Sequence, residues 1–192
     1  VVIGAMVIAP LLGPNIALAF GAALGDKVLI LRSLKTNISG MLIALLLAFC
    51  IGLMWDFELV SHELISRTDV WVSGIILALV SGAAGVLSLT TGVSSTLVGV
   101  MVAVALLPPT VTVGLMVASG NFKHAFGAAL LLAVNVVCVN LAAKLVFLFK
   151  GVKPRTWLEK RKARQSILIY IVFWVVTLLI LVGSMNFYHL YF

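Results

Sequence analysis

Charged side chains are scarce in this sequence. They make up 10% of its 192 residues, against a hydrophobic share of 63%, and residues 70–122 contain no Asp, Glu, Lys or Arg at all. A soluble domain carries about 25% charged residues. Uncharged apolar runs of roughly 20 residues or more are long enough to span a bilayer as helices. The composition therefore excludes a soluble globular domain and predicts a polytopic α-helical membrane protein.

Signatures of catalysis and metal binding are also missing. The hydrophobic segments contain no Asp or Glu, and His62, His124 and His189 lie near segment ends or in connections. The sequence has no HExxH, GxSxG, P-loop or GxGxxG motif. Cys50 and Cys138 fall within hydrophobic segments without nearby metal ligands and are expected to act as small apolar residues. We therefore expect no enzyme, no catalytic residue, no metal site and no cofactor.

Six hydrophobic segments organise the chain into one membrane domain, residues 1–192. They are Val1–Gly25, Asn37–Trp55, Trp71–Leu89, Ser95–Ser119, Phe122–Phe149 and Ile167–Phe192. Each is long enough to cross a bilayer once as a helix. The predicted fold is an all-α bundle of about six spans.

The connections between segments differ in charge. Lys150–Arg164 holds seven of the thirteen basic residues, and Asp26–Thr36 carries three more, whereas Asp56–Val70 holds four acidic residues and one Arg. Basic connections stay on the cytoplasmic side. We therefore expect a multi-pass protein of a prokaryotic cytoplasmic membrane, with Lys150–Ser166 inside, Asp56–Val70 outside, membrane lipid around it, and assembly as a homo-oligomer. A basic loop beside lipid headgroups accounts for the net charge of +7 without a nucleic-acid partner.

The sequence repeats itself at an offset of 95 residues. Gly4–Asp26 aligns without gaps to Gly99–Asn121, and eight of the 23 positions are identical, among them Pro14 with Pro109. An odd number of spans separates the copies, so they cross the membrane in opposite directions. Inverted repeats of this kind are typical of secondary transporters. The expected repeats cover about residues 1–89 and 95–192.

Helix-breaking residues occupy corresponding places in the two copies: Pro10, Gly13 and Pro14 in the first, Pro108 and Pro109 in the second. Proline removes a backbone donor and clashes with the preceding turn. Carbonyls freed at membrane depth must face protein or water. The pattern predicts broken helices around a substrate or ion site near mid-membrane. The alternative is a pair of kinks that only shape packing.

Polar side chains near these prolines complete the candidate site. The hypothesis adds five residues to the prolines and Gly13: Asn15, Thr110, Thr112, Asn135 and Asn140. Interhelical hydrogen bonding without any ligand is the alternative role for each of them. Lys144 is also within a span, where a cation is a functional candidate. We expect it instead to snorkel to the headgroups.

The motifs VVIGAMVIAPLLGP, SGAAGVLSL and VGVMVAVALLPP carry a family resemblance. Over about residues 1–153 the chain resembles the bacterial and archaeal family known only as an uncharacterised hydrophobic domain of unknown function. The resemblance implies a further hydrophobic segment before the first motif, the counterpart of Trp71–Leu89, and a cytosolic region ahead of it. The absence of an initiator Met supports the same expectation. The family brings no activity.

Three functions compete on this evidence. The leading hypothesis is a transporter or permease that moves a small solute or ion by alternating access. The second is a membrane scaffold or sensor coupled to an upstream cytosolic domain. The third is a channel with its pore at an oligomer axis.

Overall fold

A computed structural model of the chain describes residues 12–54, 72–91, 95–151 and 157–191. Their regular structure consists of six helices. We name them α1 to α6; they span Leu12–Leu24, Lys27–Met54, Val72–Thr91, Ser95–Ala118, Phe122–Phe149 and Trp157–Tyr191. The described residues contain no strand, which confirms the prediction of an all-α fold.

Three helices contain stretches long and apolar enough to cross a membrane: all of α2, all of α5, and Ile169–Asn186 within α6. The other three carry shorter apolar stretches, at Gly13–Leu24, Gly74–Leu87 and Leu106–Ala118. Few of the described side chains of α2 and α6 are buried, and large apolar ones such as Leu47 and Leu179 are exposed. An apolar surface of this extent is the lipid-facing surface of a helical membrane protein.

Helix α5 forms the centre of the bundle and packs against α1, α3, α4 and α6. Each of the three apolar clusters in the described core contains α5 side chains. Cys138 packs with Ala78 of α3, Val139 with Leu106 of α4, and Ala143 with Ala19 of α1. A helix that is apolar around its whole circumference is suited to a buried position, and most side chains in the middle of α5 are buried here.

Two helices begin earlier than the sequence analysis predicted. α2 begins at Lys27 rather than Asn37, and α6 begins at Trp157 rather than Ile167. The first difference has a local cause, because Asp26 Oδ1 accepts hydrogen bonds from the backbone N–H groups of Val28 and Leu29 at 2.9 and 3.1 Å. A carboxylate in this position satisfies donors that a new helix leaves unpaired. The basic residues expected in a loop at 26–36 therefore lie on the first turns of a helix.

Paired contacts give the directions of the helices. A Cβ at Gly114 would touch Ala48, and one at Gly52 would touch Ala118, so α2 and α4 run parallel. The tight turn between α1 and α2 makes those two helices antiparallel. It follows that α1 and α4, which carry the repeated motif, run in opposite directions.

The two hairpins of the repeat share the same turn. Gly25 and Gly120 both have φ of 73°, and Asp26 N–H donates to Gly21 O as Asn121 N–H donates to Met116 O, each at 2.9 Å. This bond around a left-handed residue is the Schellman ending of a helix. The following helices, α2 and α5, are both 28 residues long. Superposition of the two halves about an axis in the membrane plane stays a prediction.

The expected break at Pro108 and Pro109 is wrong, because α4 is a continuous helix with both prolines inside it. A membrane helix tolerates proline where neighbouring helices and Ser or Thr hydroxyls adjust to the missing donor. In α4 the hydroxyls of Thr110 and Thr112 donate to Leu106 O and Pro108 O at 2.8 and 2.9 Å, which are not the carbonyls that the two prolines leave without an N–H donor. The break expected in the first copy lies at the boundary of the described residues, since Pro10 is outside them and Pro14 is the third residue of the described part of α1.

Candidate functional site

Three asparagines from three helices meet inside the bundle. Asn15 of α1 donates through Nδ2 to Asn37 Oδ1 of α2 at 3.2 Å. Asn140 of α5 donates through Nδ2 to Asn15 Oδ1 at 3.0 Å. All three side chains are buried, and Asn15 and Asn140 are fully so. We call Asn15, Asn37 and Asn140 the amide network.

The amide network lies where the two hairpins meet. Asn15 and Asn37 belong to the first hairpin, whereas Asn140 belongs to the second. At 1.5 Å per residue each of them lies about 14 Å from one end of its helix, and the helix directions place those three ends on the same side of the bundle. The network is therefore a single polar layer, which links the oppositely directed halves.

One polar atom of the network has no partner in the described structure. Asn140 Nδ2 donates twice, to Asn15 Oδ1 and to Val136 O at 2.9 Å, but Asn140 Oδ1 accepts no hydrogen bond although it is buried. An unsatisfied buried acceptor costs about 1–3 kcal/mol. Such an atom is available to a ligand that carries a donor.

Of the predicted site residues, the structure brings Asn15 and Asn140 together. Thr110 and Thr112 are buried, but their hydroxyls donate to carbonyls of their own helix. Asn135 is buried on α5, five residues before Asn140 and hence on a different side of that helix.

The helix-breaking residues have different outcomes. Gly13 and Pro14 lie at the start of the described part of α1. Pro108 is half-buried and Pro109 is buried within α4, while Pro10 lies outside the described residues. Pro108 and Pro109 do not interrupt α4. The polar side chains that the structure places at the junction are amides.

The sequence analysis did not predict the buried positions of two polar residues, Asn37 and Lys144. It placed Asn37 at the start of a segment, whereas that side chain is 4% exposed, a third of the way along α2. In an antiparallel hairpin, residues at equal distances from the turn face each other, and Asn15 and Asn37 are about equally far from the Gly25–Asp26 turn. This spacing could have predicted their contact. The expectation that Lys144 snorkels is also wrong, because this residue is only 3% exposed. Helix α6 packs against α5 and covers Lys144, and no local sequence pattern predicts that packing.

Comparison with known proteins identifies relatives without an assigned activity. An uncharacterised protein of Methanocaldococcus jannaschii is 38% identical over 187 residues, which cover 97% of this chain and 58% of the relative. The chain thus spans less than two thirds of that relative's length. No solved structure matches the chain. The family model described as "Domain of unknown function (DUF389)" matches residues 6–141, and the chain belongs to that family.

Proposed function

We propose that this protein is a secondary transporter or permease, which moves a small solute or ion across a prokaryotic cytoplasmic membrane by alternating access. The amide network carries this proposal. Its three polar side chains lie at the junction of two hairpins. The hairpins have turns of the same geometry and run in opposite directions. Transporter sites are found at such a junction between inverted repeats.

The amide network supports the proposal through the way it is bonded. Hydrogen bonds between membrane helices contribute on average about 0.6 kcal/mol each, so they can break and form again as helices move. Rocking of one hairpin against the other changes the Asn15–Asn140 contact and leaves Asn15–Asn37 within one hairpin unchanged. The unpaired Asn140 Oδ1 then offers a solute an acceptor.

The surroundings that we propose follow from charge and exposure. Large apolar side chains of α2 that are more than half exposed provide a surface for lipid or for a second copy in a homo-oligomer; among them are Leu42, Ile43, Leu46 and Leu47. Lys150 at the end of α5 is exposed and begins the basic stretch, which we place in the cytoplasm.

Thiol accessibility tests alternating access without knowledge of the solute. Asn37→Cys is made in a Cys50→Ala, Cys138→Ala background, and the full chain is reconstituted in sealed vesicles. A membrane-impermeant methanethiosulfonate is then applied to one side at a time. We expect the thiol at 37 to react from either side while the vesicles stay impermeable to the reagent, because a transporter opens its site to each side in turn.

The control is the native thiol of Cys138, in a Cys50→Ala variant. Cys138 is fully buried in the apolar cluster with Ala78 and Val134, away from the network, and should stay unreactive from both sides. Reaction at 37 from neither side contradicts the proposal and favours the scaffold. Reaction from both sides together with ionic conductance favours the channel.

A further inference from the structure

Lys144 is a buried cation at the interface of α5 and α6. Its side chain is 3% exposed. The ammonium lies 4.7 Å from the centroid of the Tyr170 ring and 5.1 Å from that of Trp174. Aromatic faces attract a cation through their quadrupole. The rings therefore hold the amine within the bundle instead of letting it reach the surface.

This cation has no carboxylate partner among the side chains that the structure describes. Asp26 is the only acidic residue whose side chain the structure describes, and it is exposed, with its Oδ1 engaged by the N–H groups of Val28 and Leu29. Glu159 lies in α6 eleven residues before Tyr170, which is about 16 Å along the helix axis. Burying an ion costs free energy that a cation–π contact recovers only in part. A negatively charged group from outside the bundle would offset the rest of this free energy cost.

Two further polar atoms beside Lys144 have no partner in the described structure. They are Trp174 Nε1, a donor, and Asn140 Oδ1, an acceptor. Asn140 lies one helical turn from Lys144 on the same side of α5. α6 runs antiparallel to α5, as Met185 packs near Leu130 while Trp174 and Tyr170 lie at Lys144. Trp174 is therefore at the level of Asn140, and the Lys144 ammonium and the two unsatisfied atoms lie in the same region of the bundle.

We propose that Lys144, Trp174 and Asn140 form a binding site for a small protonated oxyanion of the phosphate type. The ammonium of Lys144 and the indole N–H of Trp174 donate to the anion's oxygens. Asn140 Oδ1 accepts a hydrogen bond from the P–OH group. An anion matches the two donors, one of them charged, and a hydroxyl on that anion matches the acceptor.

This binding site implies that the solute of the proposed transporter is an oxyanion of the phosphate type. The inference rests on the proposed function only where it concerns movement of the anion across the membrane. Binding to these residues is a separate property. A phosphate group at this level of the membrane comes either from a free solute or from a lipid headgroup. The phosphodiester headgroups of most lipids have no P–OH group, whereas the free monohydrogen and dihydrogen anions both carry one. The free anion is thus the occupant that satisfies all three groups.

The test is a titration of inorganic phosphate into the full chain in phosphatidylcholine nanodiscs, at constant ionic strength. Thermal unfolding and the fluorescence of Trp174, isolated as the difference from Trp174→Phe, are the readouts. We expect phosphate to raise the unfolding temperature, with sulfate at least tenfold weaker because it carries no proton at neutral pH. Lys144→Gln should weaken phosphate binding more than tenfold, and Trp174→Phe several-fold.

The matched control is Lys150→Gln, which removes an exposed lysine from the end of the same helix and should leave phosphate binding unchanged. Lys144→Arg keeps the charge and should retain binding; it replaces Lys144→Gln if that variant does not fold. A wild-type protein that ignores phosphate, or equal responses of wild type and Lys144→Gln, overturns the site. If phosphatidylglycerol raises the unfolding temperature and free phosphate does not, the proposal of a free anion is also overturned, and the region is assigned to a lipid headgroup.

The failure of transport can be told apart from the failure of binding. If phosphate binds with the expected variant pattern but the thiol at residue 37 reacts from neither side, the site stands and the transporter proposal fails. If residue 37 alternates but phosphate does not bind, the transporter proposal stands and its solute belongs to another class.

Discussion

Single asparagine side chains decide how the two hairpins are joined. Asn15 links to Asn37 within the first hairpin and to Asn140 of the second, through different atoms of one carboxamide. At the repeat offset of 95 residues, Asn15 corresponds to Thr110 and Asn37 to Leu132, so the second hairpin has no equivalent network. The polar layer is therefore asymmetric although the turns of the hairpins match.

The coupling between Asn15 and Asn140 can be measured at the residue scale. In a double-mutant cycle of Asn15→Ala and Asn140→Ala, we expect a coupling free energy of about 0.5–2 kcal/mol, because each single substitution removes the same hydrogen bond. Reversible unfolding in mixed micelles gives the stability of each variant. Asn186, an exposed residue of α6, is the control: Asn186→Ala should show no coupling to Asn15→Ala. Additive effects of Asn15→Ala and Asn140→Ala would contradict the network.

At the scale of elements, glycines set the spacing between helices. A Cβ at Gly82 of α3 would lie 2.8 Å from the backbone of Val139 in α5, and one at Gly114 of α4 would lie 2.7 Å from Leu45 O in α2. Backbones that approach this closely gain van der Waals packing, which is the main attraction between helices in lipid. The close approach of α3 to α5, and that of α4 to α2, depends on these glycines.

Gly82→Ala should destabilise the bundle by about 1–3 kcal/mol, because overpacking pushes α3 away from the Val139 backbone. Gly74→Ala in the same helix is the matched control, since nothing lies within 4 Å of a Cβ there. That change should be neutral or stabilise by up to about 1 kcal/mol through helix propensity. Denaturant unfolding of both variants measures the difference, and equal stabilities would exclude close packing at Gly82.

The turn between α4 and α5 leads to a second prediction, which concerns the backbone conformation of Gly120. Gly120 has φ of 73° and open space around it, so a side chain there meets strain and no clash. Gly120→Ala should cost about 1–2 kcal/mol, and Gly120→Asn less, since Asn tolerates the left-handed region. Gly183→Ala, a helical glycine with open space, should cost nothing. The same unfolding assay checks the order, and it contradicts the turn if Gly120→Ala is as stable as Gly183→Ala.

At the scale of the whole molecule, successive helices alternate in direction. α5 runs parallel to α1, since Asn15 pairs with Asn140 and Phe20 with Phe147, and antiparallel to α6. With α2 and α4 parallel to each other and opposite to α1, the two repeat turns lie at opposite ends of the bundle. An arrangement of this kind is what a chain that crosses a membrane with every helix requires.

Orientation follows from that arrangement and from the basic stretch after α5. In a Cys50→Ala, Cys138→Ala background, Lys150→Cys should be labelled by an impermeant maleimide only after cells are opened. Ser119→Cys, an exposed residue at the opposite end, should be labelled in intact cells. Labelling of both from the same side would refute the opposite placement of the ends, and an exchange of the two results would reverse the proposed orientation.

The sequence by itself determined that this chain is a bundle of membrane helices, because long uncharged apolar runs leave the backbone no other way to satisfy its hydrogen bonds in lipid. It also located the repeat and the bounds of α5, which depend on local turn chemistry at Gly120. Only tertiary structure decided that Asn37 joins Asn15, that α4 continues through its prolines, and that Lys144 is enclosed by Tyr170 and Trp174. Those outcomes depend on which helix covers which face, and side chains distant in sequence set that choice.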